Sequence, residues 1–210
     1  MDFAAANDWD GYFHAVAGKP PRDTLLKALD CFDAESPPAT AGIQPRLAVD
    51  LACGEGRDTV EILRRGWRAI ALDGHPAGIQ MLRERIPAAA AERLVRAEVA
   101  SFAEARWPQC DLLNCSFALP FCQPELFPDL WRRIVGSIVP GGRFSGQLFG
   151  DRDDWVRCHK TMGATRGQVE ALFAGFAFDS FLEEEKDDKT SMGEAKHWHV
   201  FHVVARKGDR

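Results

Sequence analysis

Residues 49–57 read Val49-Asp50-Leu51-Ala52-Cys53-Gly54-Glu55-Gly56-Arg57, an apolar run that opens into a glycine turn. The run from Leu47 to Ala52 predicts a buried strand, and Asp58 to Arg65 has helical spacing that Gly66 stops. Strand, turn and helix together make one βα unit. Gly54 and Gly56 keep side chains out of the turn, so its backbone can come close to a ligand.

Outward from this unit the pattern repeats. Trp67 to Leu72 predicts a second strand, Pro76 to Arg85 a helix with proline in its first turn, and Leu94 to Val99 and Asp111 to Ser116 two more strands. Leu126 to Ile138 is helical, with Leu130, Ile134 and Ile138 on one face. Pro140, Gly141 and Gly142 break that helix and launch Arg143 to Leu148 as a fifth strand, which a long loop joins to a short helix around Gln168 to Ala174. Phe176 to Leu182 and His197 to Arg206 flank the polar segment Glu183 to Lys196 and predict an antiparallel pair closing the sheet edge. Ahead of the first strand lie an aromatic stretch from Trp9 to Pro21, a helix near Asp23 to Phe32, and a linker from Glu35 to Pro45. Strands alternating with helices predict one α/β domain whose sheet is mostly parallel.

The second βα unit places Asp73 at the end of its strand, 19 residues after Gly54, where a carboxylate can accept from ribose hydroxyls. A nicotinamide dehydrogenase calls for G-x-G-x-x-G, and Ala52 and Arg57 stand where its first and third glycines belong. Asp50 also puts an anion inside the turn. It repels a pyrophosphate and suits a cofactor that carries an ammonium and a sulfonium.

With these residues the sequence resembles the class I S-adenosylmethionine-dependent methyltransferases, over about residues 45–206. Asp50 to Thr59 and the N-terminal aromatics look most like the small bacterial tellurite-resistance and thiopurine methyltransferase group. The resemblance implies a Rossmann-like, seven-stranded, mostly parallel sheet with helices on both faces and a C-terminal antiparallel hairpin. It implies S-adenosylmethionine as cofactor and in-line methyl transfer to a small-molecule acceptor. It further implies that Asp50, Ala52, Gly54 and Gly56 face the methionine moiety, and Asp73 and Gly74 the ribose. Glu98, Ser101 and Phe102 surround the adenine on this reading, while Ser116 and Phe117 line the reacting end. Two other readings stay open: a nicotinamide-dependent oxidoreductase, and a non-catalytic module that binds an adenosine ligand.

Residues 1–45 form a helical lid or cap on this reading, and residues 46–210 the core. Trp9, Tyr12 and Phe13 precede a Gly18-to-Pro21 break and Arg22, which can pair with a carboxylate. With Phe117, Phe149 and Trp155 these aromatics are the candidate substrate contacts. No general base declares itself; His159, in the loop after the fifth strand, is the one candidate. Asn114 reads as a strand-end residue that satisfies backbone groups. In His197-Trp198-His199-Val200-Phe201-His202, alternation puts His197 and His199 on one face and His202 on the other. Without a third ligand at zinc spacing, they read as solvent-facing or sheet-edge histidines and no metal site is expected.

Composition narrows the partners. The 26 Lys and Arg against 31 Asp and Glu give a net charge of −5 with no basic run, which disfavours nucleic acid. Absence of a basic n-region or of a spanning apolar stretch predicts neither export nor membrane insertion. Six cysteines scattered through apolar segments read as reduced, mostly buried thiols, and a cytoplasmic location is expected.

Overall fold

The computed structural model describes residues 8–35 and 45–208. Two helices, α1 (Trp9–Val16) and α2 (Asp23–Glu35), precede the sheet. Then come β1 (Leu47–Leu51), α3 (Arg57–Arg64), β2 (Arg68–Asp73), α4 (Pro76–Arg85), β3 (Leu94–Val99) and β4 (Cys110–Cys115). The chain continues through α5 (Phe127–Ser137), β5 (Ile138–Phe149), α6 (Asp154–Arg157), α7 (Arg166–Leu172), β6 (Phe176–Lys189) and β7 (Ala195–Lys207). The seven strands lie in the order β3-β2-β1-β4-β5-β7-β6. β1 to β5 pair in parallel, and β7 enters antiparallel between β5 and β6.

Helices on both faces explain why the central strands read as continuous apolar runs. Leu25, Ala28, Leu29 and Phe32 of α2 pack with Ile62 and Leu63 of α3 on Ala48, Ala69, Leu112 and Val204. Ile79 and Leu82 of α4 extend that layer over Ala71. On the opposite face Leu130, Trp131 and Ile134 of α5 and Val169 of α7 meet Val49, Leu113, Phe144 and Phe201. In such sheets ligands bind at the carboxyl ends of the parallel strands.

Three boundaries differ from expectation. β5 starts at Ile138, directly after α5, so Pro140 to Gly142 lie inside the strand, where the pairing with β4 shifts register between Cys110 and Leu112. β6 is far longer than the apolar pattern suggests and β7 starts two residues early: pairing runs out to Lys189 opposite Ala195, and only a tight turn remains of the polar segment. Cross-strand polar pairs hold that extension, among them His199 with Glu183 and His197 with Glu185. Most of the expected linker, residues 36–44, lies outside the described residues.

Among the cysteines, Cys53, Cys110, Cys115 and Cys122 are buried as expected, whereas Cys158 is exposed and Cys31 half-buried; all six are free. Among the described residues no helix is long and apolar enough to cross a membrane.

Candidate functional site

The carboxyl end of β1 delivers Asp50 into the sheet and the glycine turn above it. Ala52, Gly54 and Gly56 all adopt positive φ, at 59°, 54° and 85°, and Gly56 caps α3. The two glycines serve different neighbours. A Cβ on Gly56 would meet Leu82 Cδ1 at 2.2 Å, so that glycine lets α4 pack on the turn. A Cβ on Gly54 would meet Phe13 Cε1 at 3.2 Å, so the flank of the turn expected to face cofactor is covered by α1.

Asp73, at the end of β2, clasps the turn from below. Its Oδ2 accepts from the Gly54 amide at 2.8 Å and its Oδ1 from the His75 amide at 2.8 Å. Each oxygen keeps a lone pair for another donor. Burial raises its pKa, and the two amides oppose the rise. Gly74 and Ser101 come together beside it, with a Cβ on Gly74 falling 4.0 Å from Ser101 Cα. Glu98 stands on edge strand β3 with its side chain half exposed and paired to Arg96 at 3.2 Å. Ser101 bonds to Glu104, while Phe102 is half-buried on the core and its carbonyl accepts from Arg133.

Asp50 is buried and fully engaged. Its Oδ2 accepts from Thr59 Oγ1, and its Oδ1 from Asn114 Nδ2 at 2.9 Å. The same Asn114 amide reaches Asp58 Oδ2 at 3.0 Å, and Ser145 donates to Asn114 Oδ1 at 2.6 Å. Asn114 therefore bridges two carboxylates instead of satisfying backbone groups. Asp58 also accepts from Ser116 Oγ at 2.7 Å and from the Arg22 amide at 2.9 Å, which ties the approach to α2 to the end of β4. Burial, with Asp58 close by, pushes the Asp50 carboxyl up to about 7.

Above this network lie two guanidiniums. Arg57, at the start of α3, keeps Nε and Nη1 buried without a hydrogen-bond partner among the described residues. Burial lowers its pKa first and the charge of Arg22 second. Arg22 donates to Tyr12 Oη at 3.3 Å and lies over the Phe117 ring at 4.4 Å. Two cations so placed, one with orphaned donors, suit a carboxylate ligand.

Phe117 holds a positive φ of 54°, and its amide donates to Gln147 Oε1 at 3.0 Å. Rings gather around it, with Phe149 and Trp198 each 6.4 Å away between centres. Trp155 meets Phe149 at 6.1 Å, and Trp9 meets Phe121 at 5.2 Å. Phe121 and Trp198 belong to this cluster although no sequence motif marks them. His159 takes no part: its side chain is exposed, beyond the end of α6. His199 is wholly buried, not solvent-facing, and its Nε2 meets Glu183 Oε1 at 2.9 Å. His202 lies on the other face, as alternation predicts, but half-buried against Phe117, with ring centres 6.0 Å apart.

The arrangement has known counterparts. Residues 48–142 match a methyltransferase domain family. Trans-aconitate 2-methyltransferase of Paracidovorax citrulli is 32% identical over 125 residues, covering 58% of this chain and 45% of that protein. The chain thus spans less than half the length of the curated relatives it matches. The fold matches Burkholderia thailandensis 1,6-didemethyltoxoflavin-N1-methyltransferase at TM-score 0.66 and 21% identity, covering 99% of this chain and 86% of that one. TehB from Haemophilus influenzae matches at TM-score 0.64 and 16% identity, over 86% of this chain and 67% of that one. Over residues 48–142 the chain is thus similar to a methyltransferase domain, and its strand order gives it the fold of these solved methyltransferases.

Proposed function

We propose that this protein transfers a methyl group to a small-molecule acceptor, within one domain capped by the helices before β1. The buried, partnerless donors of Arg57 beside the Asp73-clasped Gly54 turn carry this reading: the site presents groups for a carboxylate and for ribose hydroxyls side by side. S-adenosylmethionine, when bound, supplies a methyl group already activated on a sulfonium. Arg57 and Arg22 hold the methionine carboxylate, and the free lone pairs of Asp73 hold the ribose. The carboxyl groups of Asp50 and Asp58 suit the cofactor's positive charge. α1, seated through Phe13 on Gly54, excludes water, and the rings around Phe117 align the acceptor; in such a site positioning supplies most of the rate.

The acidic charge balance favours a metabolite over a nucleic acid, and the free thiols suit a reducing cytoplasm. Calorimetry with S-adenosylhomocysteine and with NAD(H), followed by incubation of labelled S-adenosylmethionine with a metabolite extract, tests the proposal. Binding of the first ligand alone and label in a small molecule are the expected results. Binding of NAD(H) in its place would overturn it.

A further inference from the structure

We propose that His202 removes the proton from a hydroxyl or amine acceptor during methyl transfer, with Glu184 fixing its ring. This deepens the methyl-transfer reading above and rests on it. His202 stands on β7 directly opposite Gln147 of β5, the residue that pins the Phe117 amide at the end of β4. Its ring lies edge-on to Phe117, with centres 6.0 Å apart, while Arg22 covers Phe117 at 4.4 Å. A titratable imidazole therefore stands at the end of the strand whose tip, Ser116 and Phe117, is assigned to the reacting end.

Its orientation matches the task. Nε2 faces Glu184 Oε2 at 3.4 Å, and a carboxylate there retains the proton on Nε2 and leaves the lone pair on Nδ1. Nδ1 has no hydrogen-bond partner among the described residues. The charged groups that face the ring are Glu184 and Lys186 of β6 and Arg22 ahead of α2; Gln147 and Phe117 bring no charge. Burial, helped by the two cations, outweighs Glu184 and lowers the pKa, so the ring is neutral and basic near pH 7.

The step balances without a further reactant. The acceptor's lone pair forms the bond to the methyl carbon as the carbon–sulfur bond breaks with both electrons to sulfur. His202 Nδ1 takes the acceptor's proton and passes it to solvent. An acceptor that is already a carboxylate needs no such group.

Nitrogen-15 NMR of the histidine rings, with His202→Gln for assignment, reads the proposal directly. The expected result is the Nε2–H form, a pKa below the ordinary 6.5, and resonances that shift when S-adenosylhomocysteine is added. The Nδ1–H form, or resonances unmoved while calorimetry shows the ligand bound, would overturn it. Failure of the wild-type protein to bind S-adenosylhomocysteine would instead overturn the methyl-transfer reading itself. In turnover with a panel of phenols, primary amines and trans-aconitate, His202→Gln should lower kcat on the protic acceptors by about 100-fold and remove the acid limb of the pH profile. KM for the cofactor should stay within about twofold, and Glu184→Gln should act in the same direction by about 10-fold. Wild-type kcat and pH profile in His202→Gln, or turnover of trans-aconitate alone, would refute the role.

Discussion

Lys196 Nζ rests on the carboxylate of Asp153, both side chains shut off from solvent, and the Trp198 ring closes the cation from the other side at 3.6 Å. The pair joins the loop after β5 to the start of β7, and Asp153 also caps α6 through the Trp155 amide at 3.0 Å. It thereby fixes Trp155 and Trp198 in the ring cluster. Removing one partner strands a buried charge, which typically costs 3–5 kcal/mol. Asp153→Ala should thus lower unfolding free energy by about 4 kcal/mol in urea titration. A loss below about 1 kcal/mol would mean that water reaches Lys196.

Arg57→Met should weaken S-adenosylhomocysteine by about 2 kcal/mol, near 30-fold, as expected for losing a charged hydrogen-bonding partner. Adenosine, which lacks the carboxylate, should bind equally well to both proteins. Calorimetry with the two ligands makes the comparison. Equal losses for both would place Arg57 away from the carboxylate. Stability in urea should hold or rise, since the variant no longer buries donors without acceptors.

Asp50 links pH to both folding and binding. Its folded pKa of about 7 lies above the ordinary 3.8, so between those values the native chain holds a proton that the unfolded chain has lost. Stability therefore falls as pH rises through that window, and levels off above it. Urea titrations from pH 4.5 to 8 should show the decline, and Asp50→Asn should flatten it. Cofactor charge favours ionised Asp50, so S-adenosylmethionine should bind more tightly as pH rises toward 7. Calorimetry at pH 6 in buffers of different ionisation enthalpy should register proton release; identical heats would place the cofactor's charge elsewhere.

Phe13 against Gly54 and Gly78 makes α1 part of the site's wall, since a Cβ on Gly78 would also meet Phe13, at 3.2 Å. Gly54→Val should displace α1 and lose cofactor binding while circular dichroism stays native. Limited proteolysis near Gly18 should slow when S-adenosylhomocysteine is added, because ligand and helix share one surface. Cleavage at the same rate with and without ligand would reduce α1 to static packing.

What was legible in the sequence was local. Gly54 and Asp73 lie at the carboxyl ends of adjacent strands in consecutive βα units, so a spacing of 19 residues is enough to bring them together. Arg22, Asp58 and the Asn114–Ser116 strand end meet from three separate parts of the chain, and no spacing rule joins them. Arg57 reads only as a missing third glycine; its orphaned donors exist only once the fold buries it. The charges of residues 183–189 resemble a loop, yet they are strand positions because Glu183 and Glu185 find histidines and Arg152 across the sheet. His202 follows from that extension, since only a long β6 brings Glu184 beside it.

β6 forms the outer margin of the sheet and shows one open row of backbone donors and acceptors along its length. Glu183, Glu184, Glu185, Lys186, Asp187 and Asp188 occupy consecutive positions there. A second copy docking by strand addition would bring carboxylate against carboxylate, so this margin resists polymerisation at neutral pH. Phe178 and Leu182 lie exposed on the same margin, so the charged row is what separates a closed sheet from a bare apolar edge open to strand addition.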